Sequence, residues 1–115
     1  MDAGKHPNLH LLLESKVTKV LFDDNKRAVG LEYEPNKAMQ PTISLSKTPA
    51  YQVYANKLVV LSAGALSTPS ILERSGVGNA KLLNKLGINV ISDLPDVGEH
   101  YQGLFFSFSS SQPLN

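Results

Sequence analysis

Cysteine and tryptophan are both absent from this chain of 115 residues, and aromatic residues make up only 7% of it. Without cysteine there is no disulfide framework, no thiol nucleophile and no thiolate metal centre. Long hydrophobic runs are missing too, since none approaches the roughly 20 residues that a membrane-spanning helix needs. Charge of one sign is also lacking: 11 basic residues against 10 acidic ones leave a net charge of +1. That balance gives no electrostatic footprint for a nucleic acid or an anionic membrane, so neither is expected as a partner. The opening residues lack the basic-then-apolar order of a secretory signal. The three histidines, His6, His10 and His100, have no neighbour at metal-ligand spacing, and no metal site is expected.

A hydrophobic share of 42% argues for an ordered chain. The length suits one small domain or part of a larger one. The most informative stretch runs from Lys57 to Gly78. It opens with the apolar run Leu-Val-Val-Leu at 58–61, which reads as a strand covered on both faces. Four small residues, Ser62-Ala63-Gly64-Ala65, then let backbone or a ligand approach closely. A helical pattern follows. Pro69 suits the first turn, with Thr68 or Ser67 as N-cap, and Gly76 suits the residue that closes the helix, so about two turns are expected, held through Leu66, Ile71 and Leu72. Close packing of helix on strand and a surface for a bound dinucleotide are both open readings of the small residues. Gly76-Val77-Gly78 is not read as a phosphate loop, because it follows a helix and lacks the third glycine.

The stretch from Gly64 to Gly78, Gly-Ala-Leu-Ser-Thr-Pro-Ser-Ile-Leu-Glu-Arg-Ser-Gly-Val-Gly, resembles the second signature of the glucose-methanol-choline (GMC) family of flavin oxidoreductases. Every specified position of that pattern is filled. The resemblance implies an α/β fold: a partial Rossmann-like FAD-binding domain with an antiparallel β-meander, over 1–103, followed at 104–115 by the start of a substrate-binding part. It implies FAD as cofactor, with Val17 bordering the adenine through its backbone and Ser62, Ala63 and Gly64 lining the cofactor. It implies a small-molecule alcohol as the substrate of the full-length parent, oxidised as a histidine base takes the hydroxyl proton and hydride passes to flavin.

The remaining residues fit that frame. Residues 8–13 read as a short, largely buried strand. Residues 17–22 and 27–34 alternate around the turn-forming Asp23-Asp24-Asn25-Lys26 and make a hairpin. The prolines Pro35, Pro41 and Pro49 bound an exposed loop, and Tyr51 to Tyr54 resume as a third strand. Asn79 is the expected N-cap of a helix at 80–86, with Leu82, Leu83 and Leu86 on one apolar face and Gly87 at its end. Residues 89–94 read as a strand, and Pro95 to Gly98 as a turn. The segment 94–104 is similar to a family loop near the flavin, but His100 stands at the usual Asn and Gly103-Leu104 replace Asp-His. His100 is read as a surface or flavin-edge residue. Residues from Leu104 onward alternate weakly and could begin a further strand.

The family's Gly-x-Gly-x-x-Gly loop and its carboxy-terminal catalytic histidine have no counterpart here. The chain is therefore expected to contribute to a flavin pocket without a catalytic residue of its own, as a middle portion of such an enzyme. A reading of a different class is a stand-alone interaction module that kept the meander, lost the enzyme and covers its sheet edges with a partner.

Overall fold

A computed structural model of the chain describes residues 7–36, 38 and 49–102. Alternation of apolar and polar residues produces three strands, β1 (Ser15–Phe22), β2 (Ala28–Pro35) and β3 (Tyr51–Tyr54). They form an antiparallel meander in the order β1-β2-β3, as the sequence predicts. The β1–β2 turn closes because the Asp23 carboxylate accepts the N–H groups of Asn25 and Arg27, at 3.0 and 2.8 Å. Tyr33 and Tyr51 face each other across β2 and β3 with stacked rings, centroids 5.6 Å apart. Near its start β1 is irregular: the register slips between Val17 and Lys19, which makes Thr18 the extra residue of a bulge. The Thr18 hydroxyl donates at 2.9 Å to the Glu32 carboxylate, which also lies 3.5 Å from the Lys19 ammonium.

After the meander come helix α1 (Gly64–Arg74), strand β4 (Val77–Gly78), helix α2 (Ala80–Lys85) and strand β5 (Ser92–Asp93). β4 and β5 pair in parallel. Helix α1 is a turn longer than its sequence suggests. The Thr68 hydroxyl does act at the helix start, but by reaching back to accept the Ala63 N–H at 3.0 Å, so the helix begins ahead of Ser67 and Pro69 falls inside it. Proline there removes one backbone hydrogen bond, and the Ser70 hydroxyl donates to the Leu66 carbonyl at 3.1 Å on the same turn.

Both helix ends that the sequence marks with glycine are built as read. Gly76, at φ 90°, follows the last turn of α1. In α2 the Asn79 side chain accepts from Lys81 and Leu82 N–H, at 3.0 and 3.3 Å. Gly87 and Ile88 then donate to the carbonyls of Asn84 and Leu83, the paired bonds of a Schellman ending. Of the three leucines expected on one face, Leu83 is fully buried while Leu82 and Leu86 are exposed. The core among the described residues is small: Val20, Ile71, Val77 and Leu83.

Three further expectations are corrected. Residues 58–61 form no strand, and Leu58 and Val60 are 73% and 71% exposed. The run has the composition of a central strand, but no described segment pairs with its backbone. Residues 8–13 are likewise exposed and without regular structure, with Leu13 at 79%. The strand read over 89–94 is reduced to Ser92–Asp93, because β4 offers only two residues to pair with. The possible strand from Leu104 and most of the proline-bounded loop lie outside the described residues.

Candidate functional site

Where α1 passes the beginning of β1, the two elements and the segment before the helix enclose a cleft of about 650 Å³. β1 supplies Ser15, Lys16 and Val17, and β2 supplies Leu31. Residues 60–63 form the next wall. The last wall is one face of α1, where Leu66, Ser67, Ser70, Ile71 and Arg74 recur at helical spacing.

Of the residues singled out from sequence, Val17, Ser62 and Ala63 meet at this cleft, although Val17 lies on the first strand and the other two precede the helix. Gly64 does not line it. It is the residue on which the chain turns into α1, at φ 89°, and a Cβ placed there would meet nothing within 4 Å. His100 and His10 are exposed and stand outside the lining. Gly76 and Gly78 are buried in the joint between α1 and β4, so they form no ligand loop.

Sequence reasoning missed Lys16, Ser67, Ser70 and Arg74. The signal for the helical ones was the i, i+3, i+4, i+7 series from Ser67 to Arg74. Placing the first turn at Pro69, with Thr68 or Ser67 as N-cap, hid it, because Ser67 then stood at or before the cap.

The lining has a definite chemical character. Four serines and two cations, Lys16 and Arg74, accompany aliphatic side chains, with no carboxylate and no histidine among them. Such a surface can hold a ligand that joins an apolar ring to anionic groups. It can orient that ligand, but it offers no general base. The Arg74 guanidinium is partly anchored, for its Nε donates to the Thr18 carbonyl at 2.9 Å. On the other side of α1, the turn after Leu94 shares a smaller hollow of about 250 Å³ with Pro69 and Glu73. Among the described residues no group of three or more His, Cys, Asp or Glu could hold a metal ion, and no helix is long and apolar enough to cross a membrane.

Comparison with known proteins gives a consistent answer. Residues 1–102 match the family model described as GMC oxidoreductase. The chain is 40% identical over 115 residues to the GMC oxidoreductase family protein Mala s 12 of Malassezia sympodialis, covering 97% of this chain and 17% of that protein. It is 39% identical over 116 residues to an oxygen-dependent choline dehydrogenase of Cronobacter sakazakii, covering 98% of this chain and 19% of that one. Among solved structures, an FAD-dependent oxidoreductase from Chaetomium thermophilum is similar at a TM-score of 0.67 and 46% identity, over 80% of this chain and 14% of that one. The chain thus spans less than a fifth of the length of these relatives.

Proposed function

Because the chain belongs to the GMC oxidoreductase family, we propose that its described residues form one wall of the flavin site of a protein that oxidises an alcohol donor with FAD. The single observation that carries this reading is the cleft itself, which gathers Val17 and the Ser62-Ala63 pair from distant parts of the chain onto one surface.

The residues present fit FAD. A dinucleotide needs an apolar ledge for its base, polar partners for its ribose hydroxyls, and donors with no crowding carboxylate around its phosphates. Val17, Leu31 and Ile71 provide the ledge, and the serines and the two cations provide donors. Small side chains at Ser62 and Ala63, with open space around Gly64, leave room for the ligand to come against the backbone. Bound FAD supplies the hydride acceptor in alcohol oxidation. Val17 would border the adenine, Ser62, Ala63 and Gly64 would lie along the cofactor, and the cleft residues would bind and orient. The proton of the alcohol falls to a base elsewhere in the full-length protein. On the same reading, 104–115 lead toward the part that holds the alcohol.

The test is a titration of FAD with the purified chain, followed by flavin fluorescence. Saturable quenching that ADP reverses supports the reading. Introducing a carboxylate with Ala63→Asp is expected to weaken binding about tenfold or more, as like charges are brought together. Quenching that neither saturates nor responds to ADP would overturn it.

One observation favours the interaction-module reading: Leu58 and Val60, together with Val53 and Tyr54 of β3, leave apolar side chains exposed beside a sheet edge that no described strand pairs with. A colourless chain that ignores FAD yet forms a defined oligomer would shift the choice to it.

A further inference from the structure

We propose that Arg74 and Ser75 are positioning residues that set how the edge of β1 faces a nucleobase in the cleft. The proposal rests on the flavin-site reading, which leaves Ser75 unassigned and gives Arg74 only the part of a donor to the ligand.

β1 is the outermost strand of the meander among the described residues, and no described strand pairs with its outer edge. The end of α1 takes up that edge at two points. The Val20 N–H donates to the Ser75 hydroxyl oxygen at 2.7 Å, while the same hydroxyl donates to the Ile71 carbonyl one turn back. Two residues along the strand, the Thr18 carbonyl accepts from Arg74 Nε at 2.9 Å. Ser75 is buried, so its bonds are not shared with solvent, and losing the hydroxyl would strand a buried N–H. These contacts pin the strand immediately beyond the Thr18 bulge, on whose other side lies Val17.

The consequence for the cleft follows from rigidity. At about 1.5 Å per residue the helix is roughly 16 Å long, and it carries the clamp at one end and residues 62–63 at the other. Fixing its last turn to Thr18 and Val20 therefore fixes both walls relative to each other. Arg74 is at once a clamp and a lining residue. A strand edge reads a base by the alternation of C=O and N–H groups, which tells adenine from hypoxanthine because the donor and acceptor on the ring edge are exchanged. Such reading tolerates displacement of only about 0.5 Å.

The experiment compares ADP with IDP as ligands of the full chain, by calorimetry, for the wild type, Ser75→Ala, Ser75→Thr and Arg74→Gln. The wild type is expected to prefer ADP. Ser75→Ala should reduce that preference about fivefold, the scale of one hydrogen bond's net worth, and Ser75→Thr, which keeps the hydroxyl, should restore it. Arg74→Gln, at an exposed position that leaves the core intact, should reduce the preference in the same direction and stands as the test if Ser75→Ala does not fold. If the variants leave the ratio of ADP to IDP affinity unchanged, whatever they do to each affinity, the residues do not position the strand edge and the proposal falls. A wild type that binds both nucleotides without preference sinks it as well. A wild type that binds neither removes the flavin-site reading itself, a result distinct from either of those.

Discussion

The two ends of the stretch from Lys57 to Gly78 behave in opposite ways. At its start, Leu58 and Val60 point into solvent, and the backbone of residues 58–61 enters no ladder. At its finish, Ser75, Gly76, Val77 and Gly78 are all buried. The Gly76 carbonyl accepts from Ile91 and Ser92 N–H at 2.7 and 3.1 Å, and the Gly78 carbonyl accepts from Leu94 at 2.9 Å. Both ends carry sequence marks of a fold's centre. The difference lies in where the partner surface comes from. Apart from the bond between Ser75 and Val20, the joint at 75–78 is closed by residues within about one helix and one loop of itself. The apolar run needs neighbouring strands on both sides, and no described segment supplies them. Composition states that a segment is suited to burial, but burial itself requires a second surface.

The joint can be broken most severely at Gly76. A side chain there would set its Cβ 2.3 Å from the Asn89 carbonyl oxygen, on a backbone at φ 90°. Gly76→Val is expected to cost about 3 kcal/mol or more, since it adds strain at a left-handed residue to a clash with backbone. Urea unfolding should show a large drop in midpoint, and an unchanged midpoint would remove the joint from the centre of the fold. A smaller effect comes from Leu83, fully buried beneath the same joint. Leu83→Ala should cost about 2–5 kcal/mol, while Leu82→Ala, at a half-open position, should stay within about 1 kcal/mol. Equal losses at the two sites would mean that the apolar face of α2 is covered more widely than the burial of Leu83 alone indicates.

Milder still is the cap. Asn79→Ala removes the acceptor for Lys81 and Leu82 N–H, worth about 1 kcal/mol. The Asp93 carboxylate still takes the Ala80 N–H at 2.9 Å, so α2 should survive the change. Amide exchange should then quicken at Lys81 and Leu82 and hold at Ala80. Faster exchange at all three would show that β5 gives the helix no independent support.

These contrasts explain what could be read in advance. The meander was legible because period-two alternation and the Asp23 turn are local signals. The ends of α2 were legible for the same reason, as Asn79 and Gly87 are sufficient to start and stop a helix. The start of α1 was misread because Pro69 is a strong first-turn residue, while the back-reach of Thr68 to Ala63 depends on a conformation that no pattern announces. The clamp from Ser75 to Val20 joins positions 55 residues apart, and the bulge at Thr18 is set by how β1 meets β2; such contacts leave no periodic trace. At the site, Val17, Ser62 and Ala63 were named through family resemblance. Lys16 and Arg74 emerged only when the strand and the helix were seen to face each other.

The comparison is sharpened by the change with the smallest expected effect. If the run at 58–61 contributes nothing to the fold of this chain, then charging it should leave stability where it is. Leu58→Lys with Val60→Lys is expected to shift the unfolding free energy by no more than about 0.5 kcal/mol, the range of ordinary surface substitutions. The same pair should lower self-association measured by sedimentation, because two aliphatic side chains beside the edge of β3, with which no described strand pairs, are replaced by ammonium groups. A loss of 2 kcal/mol or more, as expected for truncating buried residues, would place the run inside a core and abolish the distinction between the two ends. Stability held together with reduced association would mean that the run is an interface awaiting a strand. In that case the suitability for burial written in residues 58–61 is met by association, while that of the joint is met within the chain.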